Sequence, residues 1–145
     1  EIMYNKVLVA YDGSPYSKRA LSAGIELARG SGSELHAAAV VNLPDYAGTV
    51  AEVDDMVTRA REFFEKKMAD AVSRAAAKNV KLTTHLIFGH VGETLVRFAR
   101  ENNFDLIVVG THGWSTIKKL VMGSVSSYVI HHATCDVLVA KGREE

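Results

Sequence analysis

Residues 106–109, LIVV, are followed by GTHGWSTIKKLVMGS, and this stretch decides the fold. Four apolar residues in a row are typical of a central parallel strand that helices cover on both faces. Short apolar runs alternate with amphipathic segments along the whole chain, which predicts a parallel sheet with right-handed crossovers. We therefore predict an α/β protein, a single doubly wound domain over 1–145 with helices on both faces. The strand order 3-2-1-4-5 is assumed from a common doubly wound arrangement.

The individual elements follow from periodicity and from turn residues. Pro15 suits the first turn of a helix, and the run Gly30-Ser31-Gly32 is predicted to end that helix. The longest helix has an apolar stripe that we predict to be core, with residues Val53, Met56, Val57, Ala60, Phe63, Phe64, Met68, Ala71 and Ala75. Strands are predicted at 6–11, 34–41, 81–88, 106–109 and 136–141, and helices at 15–29, 50–78, 93–101 and 124–132.

A glycine run follows the fourth predicted strand. Glycine lacks Cβ, so it tolerates positive φ and lets a bulky anion approach backbone N–H groups closely. A helix that begins near the end of this run directs free N–H groups and its positive dipole end toward that anion. The spacing Gly-x2-Gly-x9-Gly-Ser therefore predicts a nucleotide phosphate site, formed by Gly110, Gly113, Gly123 and Ser124.

Asp12 ends the first predicted strand as Gly110 ends the fourth. In the assumed order these strands are neighbours whose connections leave toward opposite faces, which opens a crevice at their C-terminal ends. The two loops are therefore predicted to meet at one ligand site. Asp12 also has a structural alternative, because aspartate is a favoured N-cap and the first helix begins just after it.

Composition limits the classes of function. Seventeen basic and seventeen acidic residues give no net charge, so we expect neither nucleic acid nor a membrane surface as partner. A single cysteine, Cys135, cannot form an internal disulfide, and no apolar run approaches about 18 residues. These features predict a cytoplasmic protein.

Three segments resemble the universal stress proteins, specifically their ATP-binding branch, and the likeness extends from Met3 onward. They are VLVAYDGS at 7–14, GHVG at 89–92, and VVGTHG at 108–113 with GSV at 123–125. The glycine spacing matches that family's nucleotide signature without insertion. The resemblance implies ATP as ligand, with Mg²⁺, and a nucleotide-dependent regulatory switch in the stress response with little or no catalysis.

The resemblance also implies roles for particular residues. Asp12 is expected beside the nucleoside with Ala10 near the same pocket, and Val40 is expected to frame the adenine. The small residues at 37–39 leave the adenine-facing position open between Val40 and Val41. The ribose and phosphates are expected at Gly110, Gly113, Gly123, Ser124 and Val125, and no catalytic or metal-ligating residue is assigned.

Two other functions stay open. The chain lacks the P-loop of the common ATPases and the GxGxxG motif that follows the first strand in dinucleotide-binding oxidoreductases. It also lacks an acidic pair at the end of the first strand and a clear general base. A slow Mg²⁺-dependent ATPase or phosphotransferase would use Asp12 to hold the metal and His112 or Ser124 in the chemistry. A scaffold with a vestigial site is the other alternative.

A homodimer is predicted through the last strand. Residues 136–141, DVLVAK, are apolar on both faces, yet the strand lies at a sheet edge in the assumed order. An unpaired, flat, apolar edge invites pairing with another chain. The family resemblance implies the same two-fold association.

Overall fold

The computed structural model describes residues 3–42, 48–112 and 122–145. Strands and helices alternate strictly through these residues. In chain order the elements are β1 (Lys6–Ala10), α1 (Pro15–Ser31), β2 (Glu34–Val41), α2 (Val50–Ala76), β3 (Leu82–Phe88), α3 (Val91–Glu101), β4 (Leu106–Gly110), α4 (Ser124–His132) and β5 (Asp136–Ala140). Each strand and helix predicted from the sequence is present, with ends shifted by no more than two residues.

The five strands form one parallel sheet in the order β3-β2-β1-β4-β5, which confirms the predicted fold class. β1 is central, because Val9 pairs with Ala37 of β2 and with Val108 of β4. Its side chains alternate between two buried clusters, one against α1 and α2 and the other against α3 and α4. The C-terminal ends of β1 and β4 thus lie side by side between two helical layers.

The ends of α1 correct two expectations. The N-cap is Ser14, whose hydroxyl oxygen accepts a hydrogen bond from the N–H of Ser17 at 3.2 Å, so the N-cap alternative for Asp12 is wrong. The helix also continues through Gly30 and Ser31, which we predicted to end it. Gly32 alone has the left-handed conformation, with φ 75°, and its N–H bonds to the carbonyl of Ala28. One glycine in that conformation is enough to end a helix.

The long helix α2 corrects the predicted core. Its C-terminal half packs on the sheet, with Met68, Ala71 and Ala75 buried. The N-terminal half continues the same stripe beyond the sheet, and Val53, Met56 and Phe63 are exposed by 39%, 38% and 49%. Periodicity shows which face of a helix is apolar, but it does not show where the layer beneath that face ends.

Two histidines form a pair on the face of the sheet covered by α3. His36 Nδ1 and His85 Nε2 lie 2.8 Å apart, and the two rings are nearly parallel. Phe104 meets His36 edge-on at 5.0 Å between ring centroids, and Phe98 lies 4.9 Å from His85. Burial, together with neighbouring His36 and Lys6, lowers the pKa of His85 below its ordinary value of 6.5.

This histidine pair predicts a loss of stability in mild acid. Because folded His85 binds a proton less readily than unfolded His85, protons favour the unfolded state. The free energy of unfolding should therefore fall as pH drops through about 6.5, the ordinary histidine pKa. Urea unfolding at pH values on either side of that point measures the slope. The variant His85→Phe should show a shallower slope, and equal slopes in the two proteins would contradict the assignment.

Candidate functional site

A cavity of about 470 Å³ opens at the C-terminal ends of β1, β2 and β4. This volume lies within the range of small-molecule sites, about 300–1,000 Å³. Its position is the topological switch point, where the connections of β1 and β4 leave toward opposite faces. The crevice predicted from the sequence is therefore present.

The cavity brings together every predicted site residue that the structure describes. Ala10 and Asp12 come from the end of β1, and Val40 comes from β2. The rest come from β4 and from the start of α4, namely Gly110, Gly123, Ser124 and Val125. Gly113 lies outside the described residues.

The N-terminus of α4 opens into this cavity. Gly123 is the N-cap, and no side chain caps the helix. By helix geometry, the N–H groups of Ser124, Val125 and Ser126 have no acceptor within the helix, and all three residues line the cavity. The first turn contains no acidic residue that would neutralise the helix dipole. This end of the cavity therefore favours an anion.

Two hydrogen-bond systems hold the loops around that helix end. The hydroxyl of Ser126 lies 3.2 Å from the carbonyl oxygen of Thr111 and 3.1 Å from that of Gly123, and the N–H of Gly123 donates to Thr111. On the opposite side of the crevice, Asp12 Oδ1 accepts a hydrogen bond from the N–H of Ser14 at 2.9 Å. The loops after β1 and β4 are thus tied to the helices that follow them.

The glycines of the run act through close approach. A Cβ on Gly110 would lie 2.6 Å from the carbonyl oxygen of Tyr16, so only glycine lets the end of β4 approach the first turn of α1 this closely. A Cβ on Gly123 would lie 3.2 Å from the carbonyl oxygen of Thr111. Neither residue has positive φ, which was one of the reasons expected for glycine at these positions.

Several lining residues were not found from the sequence. Val91 and Leu95 of α3 line the cavity from the helical layer that also contains α4, and Phe64 of α2 lines it from the other layer. Asn42 comes directly after β2, much as Asp12 comes shortly after β1. Its position at the end of a strand could therefore have identified Asn42 as a lining residue. The lining residues on helices have no comparable sequence signal, because their orientation toward the crevice depends on how each helix packs.

The electrostatics of the cavity are set mainly by the backbone. Among the described lining residues there is no lysine or arginine, and the only carboxylate is that of Asp12. The described residues also contain no group of three or more His, Cys, Asp or Glu that suits a metal ion. Burial, with Asp70 nearby, raises the pKa of Tyr11 to about 12, so this lining phenol stays neutral near pH 7.

The fold and this cavity define a doubly wound α/β protein whose switch-point crevice is open to an uncapped helix N-terminus. The model of the universal stress protein family matches residues 3–141, and the chain belongs to that family. Universal stress protein YxiE of Bacillus subtilis is 34% identical over 148 residues, which cover 96% of this chain and 100% of that protein. No helix in the described part of the chain has the length and apolar character needed to span a membrane.

Solved structures of similar proteins agree with the fold. Universal stress protein UspA from Lactobacillus plantarum superposes with a TM-score of 0.88 at 24% identity, over 97% of this chain and 99% of that one. A universal stress protein in complex with cAMP has a TM-score of 0.74 at 28% identity, over 94% and 96%. One from Archaeoglobus fulgidus in complex with dAMP has a TM-score of 0.66 at 26% identity, over 95% and 98%.

Proposed function

We propose that this chain binds an adenine nucleotide, with ATP as the ligand, and acts as a nucleotide-dependent regulatory switch in the stress response. Little or no catalysis accompanies binding in this proposal. The observation that carries it is the uncapped N-terminus of α4, which opens into a cavity that also has apolar lining residues. Nucleotide complexes of two similar proteins, with cAMP and with dAMP, support the same class of ligand.

The phosphates would lie at the start of α4. Backbone N–H groups of Ser124, Val125 and Ser126 would donate to them, and the hydroxyl of Ser124 is available to the same anion. Gly123 keeps the residues after β4 close to this helix end, Gly110 lets β4 approach α1, and Gly113 is proposed to belong to the same segment. Mg²⁺ would be held by the phosphates and water, which suits the few protein ligands that this ion takes.

The adenine would lie against apolar lining residues of the cavity. Val40 and Val41 both line the cavity at the end of β2, so both candidates for the adenine-facing position stay open. Ala10 lies beneath them on the neighbouring strand, where a small side chain leaves room for a ring. Asp12 would then face the ribose hydroxyls, since a carboxylate accepts hydrogen bonds from such donors.

Calorimetry with ATP, ADP, AMP and cAMP, with and without Mg²⁺, tests the proposal on the full chain. We expect ATP to bind with Kd below about 1 mM, which corresponds to about −4 kcal/mol. Absence of binding by all four ligands at millimolar concentration would remove the proposal. Binding of AMP or cAMP without binding of ATP would support the nucleotide site but show that ATP is not its ligand.

A slow ATPase or phosphotransferase is the second candidate, because the side chains that it would use, Asp12 with His112 or Ser124, line the cavity. Phosphate release from ATP separates the two functions. Turnover faster than a few per minute that falls in the variant Asp12→Asn would favour the enzyme. ATP binding without such turnover would favour the switch.

We further infer that residues 1–145 form one domain in a cytoplasmic protein that dimerises through β5. The edge position of β5 supports the dimer, since Val137, Leu138 and Val139 are only partly buried there. Light scattering at micromolar concentration tests it, and a monomeric mass would contradict it.

A further inference from the structure

The first turns of α2 present an apolar surface without cover from the sheet. We call residues 50–64 the overhang. Further along α2 the same stripe is core, with Met68 7% exposed and Ala71 fully buried. Within the overhang, the exposed apolar side chains are Val50 at 79%, Val53 at 39%, Met56 at 38% and Phe63 at 49%. Helix faces of this kind are usually covered by another element or by a partner.

The spacing of this surface is that of a helix-pairing seam. Val50, Val53, Val57, Ala60 and Phe64 follow one another at alternating steps of three and four residues. This is the a/d pattern by which two helices pack along a shared seam. Phe64 at one end of the seam packs against the core, whereas none of the described elements of the chain lies over Val50 or Val53, as their exposure shows.

We propose that the overhang pairs with the overhang of a second copy of this chain, antiparallel about a two-fold axis. Asp54 and Arg61 lie on one flank of the seam, seven residues apart, and Met56 and Phe63 lie on the other flank. In an antiparallel helix pair, each flank of one helix faces the same flank of the partner helix. Asp54 then meets the partner's Arg61, and Met56 meets the partner's Phe63.

This arrangement is self-complementary, as a two-fold contact must be. Each of the two charge contacts joins opposite signs, and the exposed Met56 and Phe63 become covered. In a parallel pair, by contrast, Met56 would lie against the partner's Arg61 and Asp54 against the partner's Thr49, so neither charge would meet an opposite one. The charges and the exposed apolar residues therefore favour a second copy in the antiparallel direction.

The contact is small. Fifteen helical residues span about 22 Å. One helix pair of this length falls below the standard interface of about 800 Å² per partner, so we expect a concentration-dependent association with micromolar Kd. The overhang is separate from β5, and its pairing adds to whatever assembly β5 makes. Phe64 ends the seam and also lines the cavity, so the pair would lie beside the candidate site.

Sedimentation velocity of the full chain at concentrations up to about 100 µM, well above a micromolar Kd, tests the pairing. We expect Val53→Glu to lower the mass of the assembly at least twofold, because it places a charge in the seam. The matched control is Val72→Glu, on the same helix and 40% exposed but off the stripe, which should keep the wild-type mass. Far-UV circular dichroism checks that both variants stay folded. A monomeric wild type, or equal masses for the two variants, would overturn the proposal.

Charge reversal tests the antiparallel register. Asp54→Arg alone should lower the mass at least twofold, because it brings like charges together across the pair. Adding Arg61→Asp to the same chain should restore the wild-type mass. Asp54 and Arg61 are about 10 Å apart along the helix axis, so this rescue acts between chains. A single reversal without effect, or a double variant that stays dissociated, would overturn the register and the proposal with it.

Discussion

Replacing Ser124 with glutamate is expected to weaken adenine nucleotide binding at least tenfold, a loss of about 1.4 kcal/mol, without destabilising the fold. Ser124 is the first residue of α4, is exposed, and lines the cavity. A carboxylate at this position would occupy the N–H groups that the phosphates need. It would also repel the phosphates, and no lysine or arginine among the described lining residues would offset that repulsion.

The same carboxylate should help the helix. An acidic side chain in the first turn interacts favourably with the helix dipole, typically by about 0.3–1 kcal/mol, and α4 has none at present. Affinity and stability are therefore expected to change in opposite directions. That opposition separates loss of a binding site from general damage to the fold.

Calorimetry for nucleotide affinity and urea unfolding for stability measure the two effects. The matched control is Ser124→Gln, which has nearly the same size and no charge, and it should lose much less affinity than the glutamate variant. Unchanged affinity in Ser124→Glu would show that the phosphates lie elsewhere. Loss of affinity together with loss of stability would point to a disturbed loop instead of a blocked anion site.

The sheet and the location of the crevice could be predicted because they depend on local patterns. Four consecutive apolar residues at 106–109 indicate a strand covered on both faces, and Asp12 and Gly110 follow strands that the common doubly wound order makes neighbours. The helix N-terminus at Ser124 was predicted from the glycine run in the same way. These signals need no knowledge of how distant helices pack.

Long-range packing explains what the sequence did not reveal. Val91 and Leu95 line the cavity only because α3 packs against β2 and α4 in a rotation that turns these two residues toward the crevice. The stripe of α2 was predicted as core along its whole length, but Val53 and Met56 lie beyond the sheet. Spacing along a helix defines its apolar face, whereas the extent of burial depends on the length of the strands beneath it.

Gly24→Ala and Gly30→Ala, two identical substitutions in α1, are expected to change stability in opposite directions. A Cβ on Gly24 would lie 2.7 Å from Val9 Cγ2 and 3.2 Å from Leu35 Cδ1, where the helix packs against β1 and β2. Val9 is fully buried and β-branched, so it has little freedom to move aside. Overpacking of such a core typically costs about 1–3 kcal/mol, which exceeds the gain of up to about 1 kcal/mol in helix propensity.

Gly30 is the matched control within the same helix. A Cβ there meets no atom within 4 Å, so only the propensity gain of about 0.5–1 kcal/mol remains. Thermal unfolding should shift by about 2–4 °C per kcal/mol in a domain of this size, upward for Gly30→Ala and downward for Gly24→Ala. A rise in Tm for both variants would mean that α1 can move away from β1. The sheet would then tolerate a looser helical layer than the contacts of Gly24 with Val9 and Leu35 imply.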